Sequence, residues 1–143
     1  MIRKHVTTAL TAISIAGAVV GCGASAAQPE APSETLSLLS TQELPNVPGK
    51  TFTSAIVTFP AGAHAVPHRH GNAFVYAYVL EGTVSSQLEG QPAQVYHQGE
   101  NWSEQPGAHH LATENTSQTE EAKLFVVFIS NTGDQLKIDD PHS

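Results

Sequence analysis

The chain has 143 residues, enough for one domain at roughly 100–200 residues per domain. Hydrophobic residues make up 40% and charged residues 13%, with 11 Gly and 9 Pro, which excludes a wholly disordered chain and points to a globular one rich in turns. Six Lys and Arg against 13 Asp and Glu give a formal charge of -7, and a surface of that sign repels phosphate, excluding nucleic-acid binding and electrostatic docking on anionic membranes.

The chain starts with Arg3, Lys4 and His5, followed over 6–20 by a moderately apolar run. A cationic start before a short apolar run reads as a secretory signal peptide, and the run is too short for a helix crossing about 30 Å of hydrocarbon. Val19-Val20-Gly21-Cys22 resembles a bacterial lipobox, in which cleavage before the Cys leaves a lipidated thiol at the new N-terminus. Ala24-Ser25-Ala26 before Ala27 offers ordinary signal peptidase a second exit. The expected organisation is a signal peptide over 1–21, or 1–26 by the second exit, then a flexible tether and leading segment over 22–46. Either exit implies export, to the periplasm or to a membrane tether through Cys22. Membrane contact would come only through that lipid. Cys22 is the single cysteine, so no internal disulfide can form.

From Thr35 onward no long stretch carries apolar residues at helical spacing without a Gly or Pro breaking it. Short β-prone runs recur over 51–59, 74–80, 83–88, 93–96, 110–113 and 123–129, separated by turn signals such as Pro60-Ala61-Gly62, Glu81-Gly82 and Pro106-Gly107. The runs over 84–88 and 93–96 form a hairpin through Glu89-Gly90-Gln91-Pro92. The run over 124–129 is apolar at both parities and is expected to be buried on both faces. The fold class is all-β, in a closed or doubly sheeted form that protects its strand edges.

Eight His outnumber all Lys and Arg, and all but His5 lie beyond residue 60. His68 and His70 are two apart, so a strand directs both rings to one face and Arg69 to the other. One strand cannot surround an ion, and a second, distant strand must contribute; His109 and His110 are the candidates. Adjacent strand residues face opposite ways, so only one of the two enters the cavity, and spacing alone does not choose between them. His64 stands as a rim or supporting residue and His97 as a turn residue. Tyr76 and Tyr78 share the face opposite Val75 and Ala77. Trp102 and Phe74 are candidates to line a cavity, and Glu100 or Glu104 to bring a carboxylate to its mouth.

These residues resemble the cupin superfamily, and in particular its small, single-domain, quercetinase-like members. The first family motif, G-x5-H-x-H-x3,4-E-x6-G, is met by Gly62, His68, His70 and Gly82, with Val75 where the family has Glu. The second, G-x5-P-x-G-x2-H-x3-N, is met by Gly99, Gly107 and His110. Gln105 stands at its Pro, followed by Pro106, and Glu114 at its Asn, followed by Asn115. The register selects His110 and turns His109 away.

The resemblance implies a cupin β-barrel, of double-stranded β-helix or jelly-roll type, over 47–131, followed by a C-terminal tail over 132–143. It also implies one divalent transition metal, Fe, Mn, Ni, Cu or Zn, held by His68, His70 and His110, and a homodimer. With Val75 in place of Glu, an open three-His site is expected, its gap filled by water or an exogenous anion; neither Glu81 nor His64 is expected to replace the missing ligand. The implied partner is a small molecule, with anions among the candidates by charge complementarity to the ion, and the implied activity is dioxygenase-like, with a noncatalytic ligand-binding or metal-binding module as the alternative. No catalytic residue is assigned.

Overall fold

Period-two alternation carries through the long strands. In the computed structural model, which describes residues 32–141, Ala122–Asn131 buries every second side chain from Ala122 to Ser130 and leaves the others half-exposed, as a pleated strand with one core face requires. The expectation that 124–129 is buried on both faces is corrected: Phe125, Val127 and Ile129 lie on an outer face that is only partly covered.

Among the described residues there are eleven strands and no helix: β1 (Thr35–Glu43), β2 (Lys50–Phe59), β3 (His64–Ala65), β4 (His68–Arg69), β5 (Phe74–Glu81), β6 (Thr83–Leu88), β7 (Gln94–His97), β8 (Asn101–Glu104), β9 (His109–Asn115), β10 (Ala122–Asn131) and β11 (Ile138–Asp139). One sheet has the order β1-β2-β10-β5-β8 and the other β11-β4-β9-β6-β7, with β3 also paired to β9. Every ladder is antiparallel. The two sheets face each other in the jelly-roll arrangement, and the chain is all-β as expected. The six strands expected from the sequence correspond to β2, β5, β6, β7, β9 and β10.

Strand pairing reaches beyond 47–131 at both ends. β1 runs along β2 from Thr35↔Thr58 to Glu43↔Thr51, inside the segment expected to be tether and lead. All nine of its residues are exposed, so it carries no buried-face pattern, and ladder hydrogen bonds hold it in place. In the expected tail, β11 pairs with β4 through Ile138↔Arg69 and Asp139↔His68. The signal-peptide and Cys22 readings lie outside the described residues.

The core sits between the sheets. Phe59, Val75, Val79, Val84 and Phe128 are its largest fully buried side chains, each stabilising by roughly 1.5–3 kcal/mol through burial. The chain passes from one sheet to the other at Gly82, between β5 and β6. Its φ is +77°, and a Cβ there would meet the Ala122 Cβ at 2.9 Å, so both conformation and space demand glycine.

Candidate metal centre

β4 is only two residues long, yet it fixes the first histidine. His68 is the direct cross-strand partner of His110 on β9, as Arg69 is of His109. Opposed residues of an antiparallel pair project to the same face, so His68 and His110 point inward together. Their ring centroids are 5.0 Å apart. His70, just past the end of β4, meets His68 edge-on at 4.8 Å. One nitrogen from each of the three rings lies within 4.8 Å of the other two. His110 therefore faces inward, and His109 faces away to its own partners, with Nε2 2.7 Å from Asp140 Oδ2 and Nδ1 3.5 Å from Glu89 Oε1.

Backbone carbonyls set two of the rings. His68 Nδ1 donates to Val66 O at 2.7 Å, and His70 Nδ1 donates to Leu136 O, which leaves a lone pair on each Nε2. Burial pushes His68 down to about 4 and also lowers His70, against the opposing pull of Glu104. Both imidazoles are thus neutral at neutral pH, the form that ligates metals. His110 is held from its other side: Ser86 Oγ lies 2.8 Å and Thr113 Oγ1 2.7 Å from its Nε2. Ser86 and Thr113 are themselves cross-strand partners on β6 and β9.

A carboxylate stands beside two of the rings. Glu104 ends β8, is 3% exposed, and places Oε1 3.0 Å from His110 Nδ1 and Oε2 3.7 Å from His70 Nε2. Trp102 Nε1 donates to Oε1 at 3.2 Å. Burial pushes the Glu104 carboxyl up, but the neighbouring His110 and His70 and the Trp102 donor outweigh it, and the net displacement is below the usual carboxylate range. Glu104 thus brings a carboxylate beside the three-His cluster. The residue at the family's Glu position is indeed Val75, but Glu104 is its direct partner across β5 and β8 and projects to the same face.

Other expected residues lie outside the cluster. His64 is exposed on β3, opposite Glu114, and Glu81 pairs with Lys123. His97 is exposed and contacts Glu100 through Nδ1 at 3.2 Å, which places both away from the cavity. Tyr76 and Tyr78 lie opposite the buried Val75 and Ala77. Trp102 lines the cavity and Phe74 does not. Sequence reading missed Ser86, Thr113 and the Leu136 carbonyl as supports of the cluster. A chain-order pattern contains no signal for the first two, because they are joined only by the β6–β9 register.

The cluster lies in a cavity of about 80 Å³. The walls are mostly apolar, with Val57, Phe59, Trp102, Leu124 and Phe128 among them, and Glu34 and Lys137 add charge on a more exposed side. Two buried polar atoms, Glu104 Oε2 and His110 Nδ1, have no hydrogen-bond partner. Three imidazoles beside a carboxylate, with one atom of each kind unsatisfied, fit a divalent transition metal, since such an ion would satisfy both atoms.

No curated protein matches the chain. Solved structures of similar fold include the Schizosaccharomyces pombe Cnp3 cupin domain, at 16% identity over 69% of this chain and 62% of that one, with a TM-score of 0.59. The DMSP lyase DddQ from Ruegeria pomeroyi is 20% identical over 62% of this chain and 42% of that one, with a TM-score of 0.54. An oxalate oxidase in complex with glycolate is 20% identical over 79% of this chain and 57% of that one, with a TM-score of 0.59. The chain spans less than two thirds of each of these three proteins, and identities this low speak to fold alone. The Cupin domain family model matches residues 55–128, just over half of the chain and the stretch that carries all three clustered histidines, and the chain belongs to the cupin family.

Proposed function

We propose that the protein is an exported cupin that binds one divalent transition metal through His68, His70 and His110 and acts on a small organic molecule in a dioxygenase-like reaction. The observation that carries this reading is the convergence of three histidine nitrogens within 4.8 Å of one another at a mostly apolar cavity. The names of two fold neighbours, an oxalate oxidase and a DMSP lyase, support a small-molecule substrate. A bound ion would supply Lewis acidity or one-electron chemistry. The chain's own residues do the rest: Val66 O and Leu136 O orient two imidazoles, Ser86 and Thr113 orient the third, and the Phe59, Trp102 and Phe128 walls exclude water and accept a carbon skeleton. The leader pattern before Ala27 supports export, and Cys22 supports a lipid tether.

The test is elemental analysis of native protein purified from the cell envelope, followed by oxygen uptake with a panel of flavonols, diketones and thiols. The expected result is close to one metal per chain and an uptake that chelation abolishes. Metal with ligand binding but no turnover would instead make the protein a binding module. Native protein that holds no metal and takes none up would overturn the reading.

A further inference from the structure

We propose that Glu104 is a fourth protein ligand of the metal, a carboxylate supplied from β8 in place of the one the family motif carries at the position of Val75. This inference rests on the metal-binding reading above and adds to it the residue that completes the donor set.

Three observations carry it. Val75 and Glu104 are directly opposed across β5 and β8, so moving the carboxylate one strand sideways keeps it on the same inner face of that sheet. Glu104 is 3% exposed, and a carboxyl group that far from solvent needs hydrogen bonds or a cation at its oxygens. The compensation within the protein is incomplete. Oε1 takes the Trp102 N–H, while Oε2, 3.7 Å from His70 Nε2, has no hydrogen-bond partner.

The neighbouring ring leads to the same position. His110 Nδ1 is also without a hydrogen-bond partner, although Glu104 Oε1 is 3.0 Å away. In the tautomer that carries its proton on Nε2, donating to Ser86 or Thr113, Nδ1 presents a lone pair to a carboxylate oxygen. In that tautomer the two electron-rich atoms, held side by side in a buried site, repel each other unless a cation lies between their lone pairs. A metal bound by Glu104 and the three histidines resolves both deficits, and His64, exposed on β3, is not needed as a ligand.

The consequence is a change in metal preference. One anionic oxygen added to three imidazoles makes the donor set harder and removes one unit of the ion's charge, which favours Mn(II) or Fe(II) relative to what three nitrogens alone would select. The site then attracts exogenous anions less strongly than an open three-His site would.

The experiment titrates purified, metal-free full-length protein with Mn(II) and with Co(II), reading affinity by calorimetry and coordination by the visible spectrum of Co(II). Glu104→Gln keeps the shape and an oxygen for Trp102 but removes the charge. Mn(II) affinity is expected to fall at least tenfold and the Co(II) spectrum to change. If Glu104 only positions His110, Glu104→Gln should bind like wild type and only Glu104→Ala should be impaired, and that result would overturn the proposal. Val75→Glu in the Glu104→Gln background returns a carboxylate to β5 and is expected to restore Mn(II) affinity; no recovery in a folded double variant would count against the proposal. Glu104→Asp, which keeps the charge but shortens the reach, is expected to bind Mn(II) more weakly, and it decides the matter if Glu104→Gln does not fold. His68→Ala and His70→Ala separate the two readings. If they abolish binding while Glu104→Gln leaves it intact, only the fourth ligand is lost; if they bind as wild type does, the metal-binding reading fails with it.

Discussion

His68 and His110 are directly opposed in the β4–β9 ladder, with Arg69 opposite His109 one residue along. That register makes the roles of His109 and His110 differ although they are neighbours of the same type. His110 lies in the cluster, and His109 binds Asp140 at 2.7 Å on the other side of the sheet.

His110→Ala should therefore weaken metal binding by more than roughly the 100-fold that loss of a supporting contact can cost. His109→Ala should leave metal affinity within about threefold of wild type and lower stability by about 1 kcal/mol through the lost Asp140 contact. Calorimetric titration with metal and thermal melts of the metal-free proteins check both. Equal losses of affinity in the two variants would mean that β9 is not a regular strand at this point.

The orientation of His110 rests on two hydroxyls from facing strands, Ser86 Oγ and Thr113 Oγ1. Thr113→Val keeps the volume and removes one of them, and metal affinity should fall about tenfold, in the range typical of contacts behind a ligand. Ser86→Ala in the same background should cost more than either change alone, because His110 Nε2 then has no partner. A double variant that binds metal as wild type does would show that the ring is held by packing.

Much of this site is legible in the sequence, and the reason is local. His68 and His70 are two residues apart, and His110 follows Gly107 at the motif's spacing, so a short pattern carries all three. Glu104 is a different case. It lies in a four-residue strand, Asn-Trp-Ser-Glu, that buries only Trp102 and Glu104, and a buried Glu in so polar a run resembles a turn. Its place beside Val75 depends on the β5–β8 register, which joins segments that a linear motif treats as unrelated. β1 escapes notice for a related reason: Leu36, Leu38 and Leu39 are exposed, so no alternation of buried positions marks it. Gly82 shows the opposite case, since its positive φ and its closeness to Ala122 account for a motif glycine that the pattern marks without explaining.

Delivery to the envelope depends on Cys22 in the lipobox reading. Cys22→Ala should move the protein from the membrane fraction to the soluble periplasmic fraction while leaving the melting temperature unchanged within about 1 °C, because Cys22 precedes every strand among the described residues. Fractionation and intact-mass analysis check this. An unmodified N-terminus at Ala27 would remove the lipid tether and leave ordinary export.

Glu34 and Lys137 join the two ends of the described chain beside the cavity, with Nζ 2.6 Å from Oε1, and Lys137 also reaches Asp139 at 2.8 Å. Burial alone would raise the Glu34 carboxyl above its ordinary value of 4.5, but hydrogen bonds from Lys137, Ser33 and its own backbone outweigh it and draw it lower. A carboxyl lowered on folding contributes stability that is complete above its unfolded value and is lost as pH falls through its folded value. Wild type should therefore lose more stability than Glu34→Gln as pH falls from about 5 to 3, and the two should converge at the acid end. The difference at pH 7 should be about 1 kcal/mol, toward the upper end for partly exposed pairs. Because Lys137 adjoins Leu136, whose carbonyl holds His70, Glu34→Gln should also lower metal affinity slightly, by about twofold at pH 7. Chemical denaturation across this pH range, run on metal-free protein so that ligand release does not intrude, checks the stability term. Parallel pH profiles for the two proteins would show that the ion pair adds nothing to the closure of the fold.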